Sequence, residues 1–247
     1  TRRSSDLIDI MLAVDVSTSM LAEDLKPNRL EAAKDVAAEF INGRPNDNIG
    51  ITLFAGESFT QCPLTVDHAV LLDMIHNIKC GLIEDGTAVG MGIANAVTRL
   101  KDSKAKSKVI ILLTDGTNNK GDISPMTAAE IAKSFGIRVY TIGVGTNGMA
   151  PYPYPVGNTV QYVSMPVEID EKTLTQIAGT TDGNYFRATS NSKLKEVYEE
   201  IDKLEKTKLN VKEYSKRDEE YHWFALAAFL CVLLEVLLRN SILKKIP

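Results

Sequence analysis

Asp15, Ser17 and Ser19 stand at alternate positions in "AVDVSTSM", directly behind the apolar run Leu7–Val14. A second polar group, Thr114-Asp115-Gly116, closes the apolar run "KVIILLTDG", and a third, Asp85-Gly86-Thr87, precedes a helical stretch. Asp15, Asp115, Ser17, Ser19 and Thr87 together supply two carboxylates and three hydroxyls, with no His or Cys in the set. Hard oxygens with few formal charges suit Mg²⁺ in octahedral geometry, with Mn²⁺ or Ca²⁺ as alternatives. Each group taken alone would serve equally well as a helix cap, Thr87 as an N-cap and the two aspartates in the same role. Convergence on one face is what argues for a metal. A hydrolase reading of Ser17 or Ser19 finds no histidine placed as a base, and a cation holding both hydroxyls leaves no free nucleophile. The expectation is therefore a binding module and not an enzyme.

Convergence depends on the elements that carry these residues. Leu7–Val14, 49–54 and 108–114 are short apolar runs rich in β-formers, as expected of strands buried on both faces. Helical spacing appears over 28–42, where Leu30, Ala33, Val36, Ala37, Phe40 and Ile41 share one face and Gly43 stops the pattern. Further helices are predicted over 67–79, with Asp67 as N-cap, over 87–101, over 125–135 behind Ser124 and Pro125, over 170–178 and over 191–205. Strands are predicted over 137–144 and 185–187, and 59–64 as an antiparallel edge. Alternating strands and helices imply an α/β, doubly wound, mostly parallel sheet with one antiparallel edge strand and helices on both faces. Ligands of such sheets bind outside the carboxyl ends of the strands, where all three polar groups would gather.

The 247 residues are 44% apolar and carry a net charge of −4, without the basic excess that nucleic acid requires. Gly143, Gly145 and Gly148 match dinucleotide-loop spacing behind a strand. The motif needs a helix to begin inside it, and "MAPYPYP" forbids one. His68, His76 and His222 are scattered without metal-ligand spacing. Residues 147–166, rich in Gly, Pro and Tyr, read as a long connection that starts on the metal-bearing face and serves either partner recognition or as filler. Cys62 and Cys80 flank the helix at 67–79. An exported domain would permit a disulfide between them, but across a helix about 20 Å long Cys62 would have to fold back alongside it to come within the roughly 7 Å that a bridge tolerates, so free, buried thiols are expected.

Residues 221–239 are almost continuously apolar and match the roughly 20 residues of a membrane span. Tyr221 and Trp223 would mark one interface, and Arg239, Lys244 and Lys245 the cytoplasmic side. Four parts follow: a folded domain over 7–205, a charged juxtamembrane connector over 206–220, a transmembrane helix over 221–239 and a basic tail over 240–247. The domain would then face the periplasm.

"DVSTSM", "EDGT" and "LLTDGTNN", in this order, resemble the von Willebrand factor type A domain and its metal-ion-dependent adhesion site. The resemblance covers about 7–205. It implies that Ser17 and Ser19 bind the metal directly, Thr87 directly or through water, and Asp15 and Asp115 through coordinated waters. Thr18 stands where relatives often carry glycine and is not a ligand. "LKPNRLEAAKDVAAEFI", "FAGESFTQCPLT" and the apolar tail further resemble the Bat family of bacterial aerotolerance operons, particularly the BatA type. That resemblance implies an inner-membrane protein with other Bat-type membrane subunits and a MoxR-type AAA+ ATPase as partners. Membrane helices upstream of Thr1 are expected on the same ground. It also implies a partner carboxylate at the metal. The alternatives are a structural metal in a membrane-complex subunit, or a non-catalytic subunit of an ATPase-driven enzyme.

Overall fold

The computed structural model describes residues 8–157 and 159–215, together with the single positions 226, 228, 229, 232 and 235. By their internal contacts, residues 1–206 form one compact unit and 207–247 another. The first unit is built on a six-stranded sheet. Its strands are β1 (Ile8–Asp15), β2 (Asn48–Phe54), β3 (Ser58–Thr65), β4 (Ser107–Thr114), β5 (Arg138–Val144) and β8 (Tyr185–Ala188), in the order β3-β2-β1-β4-β5-β8. All neighbours run parallel except β3, which pairs antiparallel with β2. Pro63 lies in β3, and the edge is where a strand tolerates a missing N–H.

β1 is buried at every position. Its side chains alternate between two apolar layers, as a parallel strand covered on both sides requires. Met11 and Ala13 join Phe54, Ile110 and Leu112 against α3 (Val89–Leu100), α4 (Pro125–Ser134) and α5 (Glu171–Thr180). Leu12, Val14 and Ile51 face Ala33, Ala37, Ile75 and Ile78 on the side of α1 (Arg29–Asn42) and α2 (His68–His76). α6 (Asn191–Ser215) joins that second layer, where the Tyr198 ring lies 4.9 Å from that of Phe40. α1 therefore leaves β1 on one face and α3 enters β4 on the other. The strand order reverses between these two central strands, which creates the switch-point crevice of a doubly wound sheet.

Local signals explain most boundaries. Asn28, Asp67, Ser124 and Asp170 each accept a hydrogen bond from a first-turn N–H of the helix they precede. Three stretches depart from the sequence expectation. α6 does not end at Glu205 but continues to Ser215, because the Lys/Glu-rich connector holds good helix formers and no Gly or Pro. Residues 149–166 are not a structureless connection but a two-stranded antiparallel ribbon, β6 (Met149–Val156) with β7 (Thr159–Pro166). Pro151, Pro153 and Pro155 share one parity along β6. The Pro151 carbonyl accepts a hydrogen bond from Glu23 N–H outside the ribbon, so this parity points away from β7 and no ladder donor is lost. Finally, α3 begins at Val89, which leaves Thr87 in the preceding loop and not at the cap.

Cys62 and Cys80 are both free, Cys62 buried and Cys80 only half-buried. Among the described residues no helix is long and apolar enough to cross a membrane. The apolar stretch 221–239 and the basic tail lie, apart from the isolated positions above, outside the described residues, as do His222 and Cys231.

Two contacts fix the layers and carry measurable consequences. Glu205 of α6, 1% exposed, accepts hydrogen bonds from Arg138 (2.8 Å), Tyr140 (2.6 Å) and Ser107 (2.7 Å) at the start of β4 and β5. Burial opposes its ionisation, but the hydrogen bonds from Arg138 and Tyr140 and the Arg138 charge outweigh burial and hold the carboxyl below the usual glutamate range. The resulting stability is present above the unfolded-state pKa of about 4.3 and is lost as pH falls through the lower folded value. Glu205→Gln should cost about 2 kcal/mol in urea denaturation at pH 7. That difference should shrink below about pH 4; a pH-independent deficit would contradict the role of the charge. On the other face, a Cβ on Gly90 of α3 would lie 2.0 Å from the Ile123 carbonyl oxygen. Gly90→Ala should cost about 1–3 kcal/mol by forcing α3 and the 118–123 loop apart, and an unchanged denaturation midpoint would refute the close packing.

Candidate metal centre

The pairing of β1 with β4 sets Val14 opposite Leu113, so Asp15 and the Thr114-Asp115 pair emerge side by side at the carboxyl edge. Residues 18–21 then form one turn of 3-10 helix, which curls Ser17 and Ser19 back over that edge. The Ser17 N–H donates to Asp15 Oδ1 at 2.9 Å, and the Thr114 hydroxyl donates to Asp15 Oδ2 at 2.7 Å. Ser19 Oγ donates to Asp115 Oδ1 at 2.7 Å and lies 2.9 Å from Ser17 Oγ. With its single proton committed to Asp115, Ser19 can only accept from Ser17. The result is a directed chain, Ser17 to Ser19 to Asp115.

Thr87 arrives from the loop before α3. Its hydroxyl oxygen would be 3.3 Å from a Cβ placed on Gly116, which puts it against the Asp115 turn. Its N–H donates to Asn119 Oδ1 at 2.9 Å, and its carbonyl accepts from the N–H of Asn119 at 3.0 Å. The structure thus brings Asp15, Ser17, Ser19, Thr87 and Asp115 to one edge of the sheet. Ser19 is half-buried and the other four are buried.

Four residues outside the five candidate ligands hold this arrangement. Asp85 accepts both the N–H and the hydroxyl of Thr18, at 3.0 and 2.8 Å, and so pins the Thr87 loop to the serine turn. Asn119 orients Thr87. Arg29, at the first position of α1, donates to Asp115 Oδ2 at 2.6 Å and clamps Asp24 with Nε and a terminal nitrogen, both at 2.7 Å. Asp24 in turn accepts the Thr146 N–H at 2.8 Å, at the root of the ribbon. Gly145 lets the guanidinium through. Its φ of +142° disfavours any side chain, and a Cβ there would lie 2.9 Å from Arg29. The glycines of the dinucleotide-like spacing therefore serve packing and turning, and a strand follows them where a nucleotide loop would need a helix.

The electrostatics are unbalanced. Asp15 and Asp115 are both buried, and Arg29 touches only Asp115. Burial, then the Asp115 charge, pushes the Asp15 carboxyl up to about 7. Burial also raises Asp115, against the pull of Arg29 and Ser19. Among the described residues no group of three or more His, Cys, Asp or Glu gathers to hold a metal, so any cation here would depend on hydroxyl donors alongside the two carboxylates. The donor set fits: oxygen only, net negative, and with one carboxylate lacking a cationic partner among the described residues. Such a set favours Mg²⁺, Mn²⁺ or Ca²⁺ over softer metals.

Comparison with known proteins places the chain. The model of the von Willebrand factor type A domain matches residues 9–200. An aerotolerance-related membrane protein from Bacteroides fragilis has a solved structure that is 33% identical, with TM-score 0.69, over 79% of this chain and 99% of that one. BatB from Bacteroides thetaiotaomicron is likewise 33% identical with TM-score 0.69, over 80% of this chain and 98% of its own. Proximal thread matrix protein 1 from the mussel byssus, solved with a zinc-occupied MIDAS motif, shares the fold at 24% identity and TM-score 0.63, over 82% of this chain and 46% of its own. An uncharacterised protein of Borreliella burgdorferi is 28% identical over 240 residues, 96% of this chain and 70% of its own length. A UPF0353 protein of Mycolicibacterium paratuberculosis is 33% identical over 205 residues, 76% of this chain but only 58% of its own.

Proposed function

The chain belongs to the von Willebrand factor type A domain family, and on that premise we propose that it is a membrane-tethered interaction module whose bound divalent cation captures a carboxylate of a partner protein. The cation is held by Asp15, Ser17, Ser19, Thr87 and Asp115, with Mg²⁺ the preferred ion. It supplies a positive charge at the loop surface, and the neutral hydroxyl donors leave most of that charge uncompensated. The observation that carries this reading is the directed chain from Ser17 through Ser19 to Asp115, set beside a buried Asp15 that has no cationic partner among the described residues. Arg29 offsets part of the negative charge at Asp115 and so keeps the metal-free site folded, while Asp15 is left for the cation. The module serves recognition and not catalysis, since its hydroxyls are engaged with one another, with Asp115 and with the metal.

The Bacteroides fragilis relative described as an aerotolerance-related membrane protein supports a membrane location; our reading places the chain in the bacterial inner membrane, anchored through 221–239. Arg239, Lys244 and Lys245 then lie in the cytoplasm and the domain in the periplasm. Protease added to spheroplasts should degrade the domain, and protection from protease would overturn this topology. By the Bat resemblance the partners are other Bat-type membrane subunits, working with a MoxR-type AAA+ ATPase. Crosslinking and pull-down from native membranes tests the binding claim. A partner should be retained with Mg²⁺ and lost with chelator or in Thr87→Ala. A complex that survives both treatments would instead support a purely structural metal.

A further inference from the structure

A groove of about 240 Å³ opens beside the cluster, between the serine turn and the β6–β7 ribbon. Thr18, Ser19 and Arg29 line the end nearest the cluster, and Ala22, Ala150, Tyr152, Tyr154 and Met165 make the rest. Arg29 is the one charged residue in this lining, and its guanidinium is already paired with Asp24 and Asp115. The ribbon wall is held in register with the site by three bonds: Glu23 N–H to the Pro151 carbonyl at 2.8 Å, the Tyr162 hydroxyl to Glu23 at 2.9 Å, and Thr146 N–H to Asp24 at 2.8 Å. Yet the wall itself is left open. Tyr154 is 57% and Met165 47% exposed, and Val163, on the same face of the ribbon opposite Tyr152, is similarly uncovered. Contiguous exposed apolar surface of this kind marks a place where another molecule sits.

We propose that this groove is the specificity subsite of the cation site. It takes a large apolar side chain that a partner protein carries, on an extended segment, two residues away from the acidic residue that reaches the cation. The inference rests on the carboxylate-capture reading above. The occupant follows from the groove's two ends. One end is continuous with the cluster through Ser19, where the proposed ion sits, so it selects an anion. The other is apolar and aromatic, without a buried charge to satisfy. In an extended segment, residues i and i+2 point to the same side about 7 Å apart, so one partner strand can place a carboxylate at the first end and an apolar side chain in the second. The two other loops at the edge, around Asp85 and Asn119, are engaged in holding Thr18 and Thr87.

The test uses the full chain in detergent micelles, loaded with Mg²⁺, to select phage-displayed random heptapeptides that are then eluted with EDTA. Recovered peptides should carry Asp or Glu, with Leu, Met, Phe or Tyr two positions away enriched about ten-fold over the starting library, as burial of one such side chain implies. In the double variant Tyr154→Ser, Met165→Ser, the apolar preference should fall to background while the acidic preference persists. Both side chains are half exposed, and an unchanged Mg²⁺-dependent thermal shift will show that this variant still folds and binds the ion. Acidic peptides with no apolar preference at that spacing, or a preference that survives in the double variant, would overturn the groove assignment and leave carboxylate capture standing. Recovery of peptides with no acidic enrichment would overturn both.

Discussion

Asp15→Asn is expected to abolish divalent-cation binding and, in the same protein, to raise the stability of the metal-free state. The side chain is nearly isosteric: its oxygen can still accept the Ser17 N–H, and its amide can donate to Thr114 Oγ1, reversing the bond that Thr114 now donates. What changes is the charge. Burial and the neighbouring Asp115 push Asp15 up to about 7, against about 3.9 for an ordinary aspartate. A folded-state pKa above the unfolded one means that stability falls as pH rises from about 4 to about 7, with the full deficit present above that window. The shift corresponds to on the order of 4 kcal/mol. Chemical denaturation at pH 8 in EDTA should therefore find the Asn variant more stable by about 2–4 kcal/mol, with the gain disappearing below about pH 4. Mg²⁺ at about 100 times its dissociation constant should stabilise the wild type by about 2.7 kcal/mol and leave the variant unmoved. A metal-free variant less stable than the wild type at pH 8 would mean that Asp15 is not a strained, cation-seeking group.

Arg29→Met is expected to cost about 3–5 kcal/mol in the absence of metal, because it leaves two buried carboxylates without their cation. The Arg29 side chain is 5% exposed, Asp24 3% and Asp115 0%. Methionine preserves much of the volume but none of the donors. The loss should lower Tm by about 6–20 °C for a domain of this size. Saturating Mg²⁺ should recover part of it, since the ion replaces the lost charge beside Asp115 but does nothing for Asp24. Arg29→Lys should not rescue, because one ammonium cannot clamp Asp24 with two nitrogens while reaching Asp115. A loss below about 1 kcal/mol would show that the pair contributes no more than an exposed salt bridge.

The contrast between these two residues shows what the sequence exposes. Asp15 is legible because it belongs to a local pattern, alternate oxygens behind a strand, and because the alternation of strands and helices fixes which loops share an edge. The parallel core was legible for the same reason: Val109–Leu113 and Ile10–Val14 are apolar at every position, as strands covered on both faces are. Arg29 looks like an ordinary first-turn arginine in an amphipathic helix. Its role comes from Asp115, 86 residues away, and from Asp24 and Gly145, none of which lies in a pattern with it. Asp85 and Asn119 are hidden likewise, since their hydrogen bonds form only once three loops meet. The β6–β7 ribbon was missed because its prolines signal a break. They are tolerated because they share the outward parity of a two-stranded ribbon, a fact of register that composition does not reveal. The extension of α6 past the expected end at Glu205 to Ser215 is a difference of another kind, since the charged stretch that follows consists of good helix formers with no Gly or Pro to stop the helix.

The central claim is that one divalent cation is held by residues from three separate loops. Calorimetric titration of Mg²⁺ into the chelator-stripped full chain tests it most directly. The account predicts a single saturable site per chain, lost in Asp15→Asn and in Asp115→Ala, strongly weakened in Ser17→Ala, and retained in the groove variant Tyr154→Ser, Met165→Ser. Equal Mg²⁺ affinity in the wild type and in Asp15→Asn would contradict it.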